Sequence, residues 1–111
     1  MSAFRQGRVT LSLQIALLLS AGAFALQAHA NEALANKSGC LGCHAVATKL
    51  VGPAYKDVAA KYAGQADAQA ILMQSIRNGG GGKWGELPMP AHPKLSDADL
   101  KKLTAWILGL K

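Results

Sequence analysis

Long alternating stretches and internal repeats are both missing from this chain of 111 residues. Without period-two alternation there is no strand to predict. The length allows at most one small domain. It excludes a doubly wound nucleotide-binding enzyme or a β/α barrel, which need far more chain. Cysteine is scarce, with two in all, so one disulfide is the most that can form. Acidic residues are few: six Asp and Glu stand against twelve Lys and Arg, a formal charge of +6. The basic residues are scattered rather than gathered into the runs that mark nucleic-acid arms. Beyond residue 30 there is no phenylalanine, which leaves Tyr55, Tyr62, Trp84 and Trp106 as the aromatics.

What is present is unevenly spread. Residues 1–30 hold 18 apolar residues, against 38 in the 81 residues from 31 to 111. Arg5 and Arg8 precede an uncharged, mostly apolar stretch from Val9 to Leu26, centred on Ile15-Ala16-Leu17-Leu18-Leu19. Gln27 breaks it, and Ala28-His29-Ala30 has the small-x-small pattern of a signal-peptidase site. The stretch is long enough for a membrane anchor, but the adjacent pattern favours a cleaved export signal. Ala23-Phe24-Ala25 offers a second cut; the polar break at Gln27 favours cleavage after Ala30. The expectation is a cleaved signal peptide over 1–30 and a mature domain over 31–111, with a net charge of +4 and no stable membrane insertion. Eighty-one residues bury only a small core, and such domains often need a disulfide, metal or cofactor.

The mature part reads as helices joined by Gly/Pro loops. The first helical segment runs from Glu32 to Cys40, with small residues Ala35, Ser38 and Gly39 suited to close crossing. The second starts at Pro53 as a first-turn residue, carries Tyr55, Val58, Ala59 and Tyr62, and stops at Gly64. The third starts at Asp67 as N-cap and ends near Asn78, with Ala70, Met73 and Ile76 at helical spacing. The fourth is capped by Ser96 with Asp99 three residues on, and Leu95 and Leu100 form a hydrophobic staple. Leu100, Leu103, Ile107 and Leu110 make its apolar stripe, which Trp106 widens. Between the last two helices lies a long irregular stretch, Gly79–Leu95, with four consecutive glycines and three of the four prolines. Loops of this length in small domains are usually functional or disordered, and Trp84 and Met89 within it argue against disorder.

Cys40-Leu41-Gly42-Cys43-His44 is C-x-x-C-H, the signature of covalent c-type haem attachment. On one helical turn, positions i, i+3 and i+4 share a face. Cys40 and Cys43 can each form a thioether with a vinyl group, and His44 is then placed beneath the iron. The macrocycle would also supply the buried apolar surface that a short chain lacks. Three other readings compete less well. A thioredoxin-like dithiol wants a βαβ context. A zinc site built from Cys40, Cys43, His44 and His92 has the spacing of no common finger. A disulfide across two intervening residues would constrain almost nothing.

The second axial position has few candidates: Met73, Met89, His92 or a lysine. Met73 lies on a helical stripe and reads as core filler. Met89 sits in Leu87-Pro88-Met89-Pro90, where two prolines set φ and prevent a regular helix. A stiff loop of this kind can hold a thioether at a set distance from iron, and Met/His is a standard haem pattern. Met89 is therefore favoured, with His92 as its rival.

With these residues in hand, the chain resembles the short bacterial class I cytochromes c of the c-551 type, the cytochrome c8 family. The resemblance spans essentially all of 31–111. It rests on Gly39-Cys40-x-x-Cys43-His44, on Val51-Gly52-Pro53-Ala54-Tyr55-Lys56-Asp57-Val58-Ala59, on Gly82-x-Trp84-Gly85-x-x-Pro88-Met89-Pro90 and on Ala105-Trp106-Ile107-Leu108. It implies an all-α fold of about four helices wrapped around one covalently attached haem, the first and last helices crossing. It implies His44 and Met89 as axial ligands, and Pro53 as the residue whose carbonyl accepts a hydrogen bond from the proximal imidazole. It also implies that the indole of Trp84 reaches a haem propionate. Two departures stand out. Ser75 occupies a position where the family often has a basic residue near the propionate. His92 sits in a segment one residue longer than usual, where an asparagine often lies near the methionine sulfur, so its titration is expected to perturb the potential.

The function implied is soluble periplasmic transfer of one electron, with no enzymatic turnover because both axial sites are filled. Leu41, Val51, Pro88 and Pro90 are expected to rim the exposed haem edge, with Lys37, Lys49, Lys56, Lys83 and Lys94 around it. Positive charge favours acidic partner surfaces, and such redox encounters are small and transient. Partners would be a donor such as a quinol-oxidising complex or another cytochrome, and an acceptor such as a nitrite reductase, terminal oxidase or peroxidase. Nothing requires a dimer, and export argues against a nucleic-acid partner. A haem sensor or peroxidase-like protein with a labile sixth ligand is the alternative; a thiol oxidoreductase would need free, titratable thiols.

Overall fold

The computed structural model describes residues 26–111, so the first 25 residues of the expected leader over 1–30 lie outside the described residues. The chain divides into two units, with the boundary between Ala30 and Asn31, and the second unit carries the haem-type motif. Residues 26–37 are helical; α1 denotes the part within the second unit, 31–37. A 3₁₀ turn covers Cys40–Gly42, and three further helices come after it: α2 (Tyr55–Lys61), α3 (Ala68–Asn78) and α4 (Asp97–Leu108). The described residues contain no strand, only one isolated antiparallel bridge between Gly80 and Met89.

The first helix stops short of Cys40. Ser38 N–H still bonds Leu34 O, but the chain turns at Gly39, φ +81°. The haem-type motif therefore sits on its own tight turn, with Cys43 N–H and His44 N–H both donating to Cys40 O at 3.2 and 2.9 Å. The second helix starts two residues later than Pro53. The reason is nonlocal: Tyr55 N–H and Lys56 N–H, unsatisfied donors of a first helical turn, bond the carbonyls of Ala45 and Val46 at 3.0 Å each. Pro53 is thereby left in the approach to the helix.

In α3 the buried face is Ala68, Leu72 and Ile76, spaced by four. Ala70 is exposed and Met73 half-buried, so the expected stripe is rotated. The last helix follows the sequence closely. Ser96 Oγ accepts the Asp99 N–H at 3.1 Å, and Leu100, Leu103, Trp106 and Ile107 are buried. Leu110 lies beyond the helix and is half-buried. Thr104, fully buried, was not legible as core. Its hydroxyl donates to Leu100 O at 2.8 Å and accepts from Gln69 Nε2 of α3 at 3.2 Å. That double use satisfies a hydroxyl with no exposure to solvent.

The fourth helix packs on both α2 and α3. Ala35, Tyr55, Val58, Tyr62, Leu72, Leu103, Trp106 and Ile107 share one core with Cys40. An ion pair between Arg77 and Asp97 joins the end of α3 to the start of α4. This scaffold leaves the 43–54 and 79–90 segments facing a common cavity.

Candidate functional site

The cavity has a volume of about 430 Å³, in the range of cofactor sites. Cys40, Cys43, His44, Pro53, Trp84 and Met89 all line it, although they lie up to 49 positions apart in the chain. Its wall is otherwise largely apolar, with Tyr55, Val58, Leu72, Ile76, Leu103 and Ile107 from the three main helices.

Both cysteines are free. Cys40 is buried and Cys43 half-buried. Burial pushes the Cys40 thiol above its ordinary value, only partly offset by a hydrogen bond from the Tyr55 hydroxyl. A dithiol catalyst needs the opposite shift, toward thiolate. Among the described residues no three of His, Cys, Asp and Glu converge as a zinc site requires.

His44 Nδ1 lies 2.8 Å from Pro53 O. A carbonyl only accepts, so Nδ1 carries the proton and Nε2 is the nitrogen left bare for a metal. The imidazole also stacks on the Tyr55 ring, with centroids 4.8 Å apart and planes 14° apart. Gly52 closes in from the chain side: a Cβ there would fall 2.4 Å from His44 Cε1. Gly52 and Tyr55 were not legible as site residues. A glycine directly before Pro53 was the available signal.

Met89 is half-buried, and its backbone is paired to Gly80 in both directions, 2.7 Å for its N–H and 3.0 Å for its carbonyl. Gly79, φ +68°, permits this approach, since a Cβ there would lie 2.5 Å from Met89 O. Trp84 is 37% exposed, and Lys61 Nζ sits 4.5 Å from its ring centroid. Ser75 lines the cavity, but its hydroxyl is spent on Ile71 O at 3.0 Å. His92 does not line it. Its backbone N–H ties the loop to Ile76 O at 2.9 Å, and its buried Nδ1 has no partner among the described residues.

The expected rim is adjusted in two respects. Leu41 packs against the core rather than lining the cavity, whereas Val51, Pro88 and Pro90 do line it. Of the five lysines considered, Lys49 and Lys83 belong to the lining. Leu50, Val51 and Leu87, 49%, 58% and 70% exposed, give that lining an apolar outer edge.

Two neighbouring free thiols, an imidazole with a bare nitrogen, a thioether and an apolar wall fit one kind of group: an iron porphyrin attached through sulfur. That is the class of c-type haem proteins. Residues 28–111 match the family described as Cytochrome c. The chain is 52% identical over 84 residues to cytochrome c-552 of Nitrosomonas europaea, covering 76% of this chain and 82% of that one. It is 51% identical over 94 residues to cytochrome c-551 of Pseudomonas aeruginosa, covering 85% and 86%. It superposes on the crystal structure of the wild-type Nitrosomonas europaea cytochrome c552 with a TM-score of 0.70 and 52% identity, over 72% of this chain and 99% of that chain. The chain therefore belongs to the cytochrome c family, as a small all-α class I member of the c-551 type with one covalently bound haem c. It is an electron carrier, and its partners are redox proteins.

Proposed function

We propose that this protein is a periplasmic one-electron carrier in which Cys40 and Cys43 form the thioether links and His44 and Met89 hold the iron axially. The observation that carries the reading is the convergence of these four side chains on one apolar cavity. When bound, the haem supplies a one-electron Fe(III)/Fe(II) couple. Pro53 holds the His44 proton on Nδ1, so that Nε2 is presented to the metal. Pro88 and Pro90 stiffen the backbone that carries the Met89 sulfur. The apolar wall excludes water, which favours the less charged reduced state. With an imidazole and a thioether both engaged, no coordination position is offered to a substrate, and the protein acts as a carrier rather than an enzyme.

Residues 1–30 act as the export signal and are removed, leaving Asn31 as the first residue. The position of the unit boundary is compatible with this reading. Lys49 and Lys83, beside exposed Leu50, Val51 and Leu87, suit brief contact with an acidic partner surface. The donor is of the kind represented by a quinol-oxidising complex, and the acceptor of the kind represented by a nitrite reductase, terminal oxidase or peroxidase.

Absorption spectra of both redox states of the exported protein test the ligation. A low-spin c-type spectrum with a near-infrared sulfur-to-iron band in the oxidised state is expected. Rapid carbon monoxide binding to the reduced protein at neutral pH would instead establish a labile sixth ligand and a sensor or peroxidase-like role. Mass spectrometry of the same sample, starting at Asn31 and carrying one porphyrin, tests the processing and the attachment.

A further inference from the structure

We propose that Tyr55 is a positioning residue for His44, setting the plane of the iron-ligating imidazole and coupling it to the C-terminal helix. The proposal rests on the reading of His44 as an iron ligand. The Pro53 hydrogen bond constrains one ring atom, at Nδ1. An in-plane contact at one atom does not fix the tilt of the ring, and Gly52, which also closes on it, brings no side chain to do so. The Tyr55 ring lies nearly parallel to the imidazole at 4.8 Å, so it restrains tilt over the whole face. This is an offset stack of the kind aromatic pairs favour.

Tyr55 can do this because it is itself immobilised. It is 5% exposed, and Trp106 of α4 meets it edge-on at 5.5 Å and 75°. Its backbone N–H bonds Ala45 O, the residue after His44. Trp106 is also buried, at 9% exposure. His44, Tyr55 and Trp106 thus form a continuous aromatic column from the haem-attachment turn to α4. An aliphatic residue at 55 would fill the volume and offer no flat face. The role is orientation, because Tyr55 acts on the iron only through His44.

The test uses the haem-loaded protein with Tyr55→Leu, Tyr55→Met and Tyr55→Phe. Methionine adapts its shape to the core, so the result does not depend on the leucine variant folding. The readouts are the principal g values of the oxidised protein and the exchange rate of the His44 Nδ1 proton. Leucine and methionine are expected to shift the g values and to speed exchange by about two- to twelvefold, the scale of one aromatic pair. Phenylalanine, which keeps the ring, is expected to stay within about twofold of the parent, below that scale. Parent-like g values and exchange in folded, loaded leucine or methionine variants would overturn the proposal while leaving ligation intact. A phenylalanine variant that behaves like leucine would assign the effect to the hydroxyl and overturn it as well. If His44 ring protons in the reduced parent show no porphyrin ring-current shift, the ligation reading falls, and the proposal with it.

Discussion

His44 and Met89 line the same cavity but are held in different ways. The imidazole is gripped through its side chain: Pro53 O at 2.8 Å, the Tyr55 face at 4.8 Å and Gly52 too close to admit a Cβ. The thioether is placed through its main chain, by two hydrogen bonds to Gly80 and by flanking prolines. Tyr55 is buried in the core, whereas most of the loop around Met89 is exposed. An orientation set by packed side chains should tolerate loop changes. A distance set by backbone pairing should be sensitive to them.

The largest effects should come from removing the two proposed ligands. His44→Ala should abolish accumulation of the loaded, low-spin protein. Met89→Ala should keep the haem but lose the near-infrared band, lower the potential and admit carbon monoxide rapidly. Retention of that band and potential in Met89→Ala would end the assignment of the distal ligand.

The two close-approach glycines should separate the sides. Gly52→Ala and Gly79→Ala each force a Cβ into contact, and each should cost about 1–3 kcal/mol in denaturant unfolding, as overpacking does. Gly79→Ala meets backbone at φ +68° and should weaken the near-infrared band, whereas Gly52→Ala should alter g values and spare the band. The reverse pattern would contradict the comparison.

Smaller still is Lys61→Gln, which removes the cation over Trp84. It should raise amide exchange over residues 79–85 by the equivalent of about 0.5–1 kcal/mol, with Lys61→Arg restoring protection. Last comes Arg77→Ala. Arg77 holds the Asp97 carboxyl below its ordinary value, so the pair's contribution is present above about pH 4 and is lost as pH falls through the lowered value. The variant should melt slightly below the parent at pH 7, and the gap should close in strong acid.

Much of this was legible in the chain. The C-x-x-C-H run carries its chemistry locally, and Ser96, Leu100, Leu103 and Ile107 announce α4 because cap and stripe are short-range signals. Less legible were features set by contacts between distant segments. Pro53 reads as a helix start, but α2 begins later because Ala45 and Val46 receive its first donors. Ala70 and Met73 have helical spacing, yet the face that α3 buries, against α4 and the cavity, is Ala68, Leu72 and Ile76. Thr104 is a buried hydroxyl whose partner, Gln69, lies 35 positions away. Gly52 and Tyr55 acquire meaning only when the 52–55 segment is folded against His44.

The proton NMR spectrum of the reduced, haem-loaded protein is the sharpest check on His44/Met89 ligation, because it reports on both proposed ligands at once. A methionine methyl group and imidazole ring protons should be shifted far upfield by the porphyrin, assigned to Met89 and His44 respectively. Upfield signals that belong to Met73 or His92, or the absence of a shifted methyl group, would contradict that ligation.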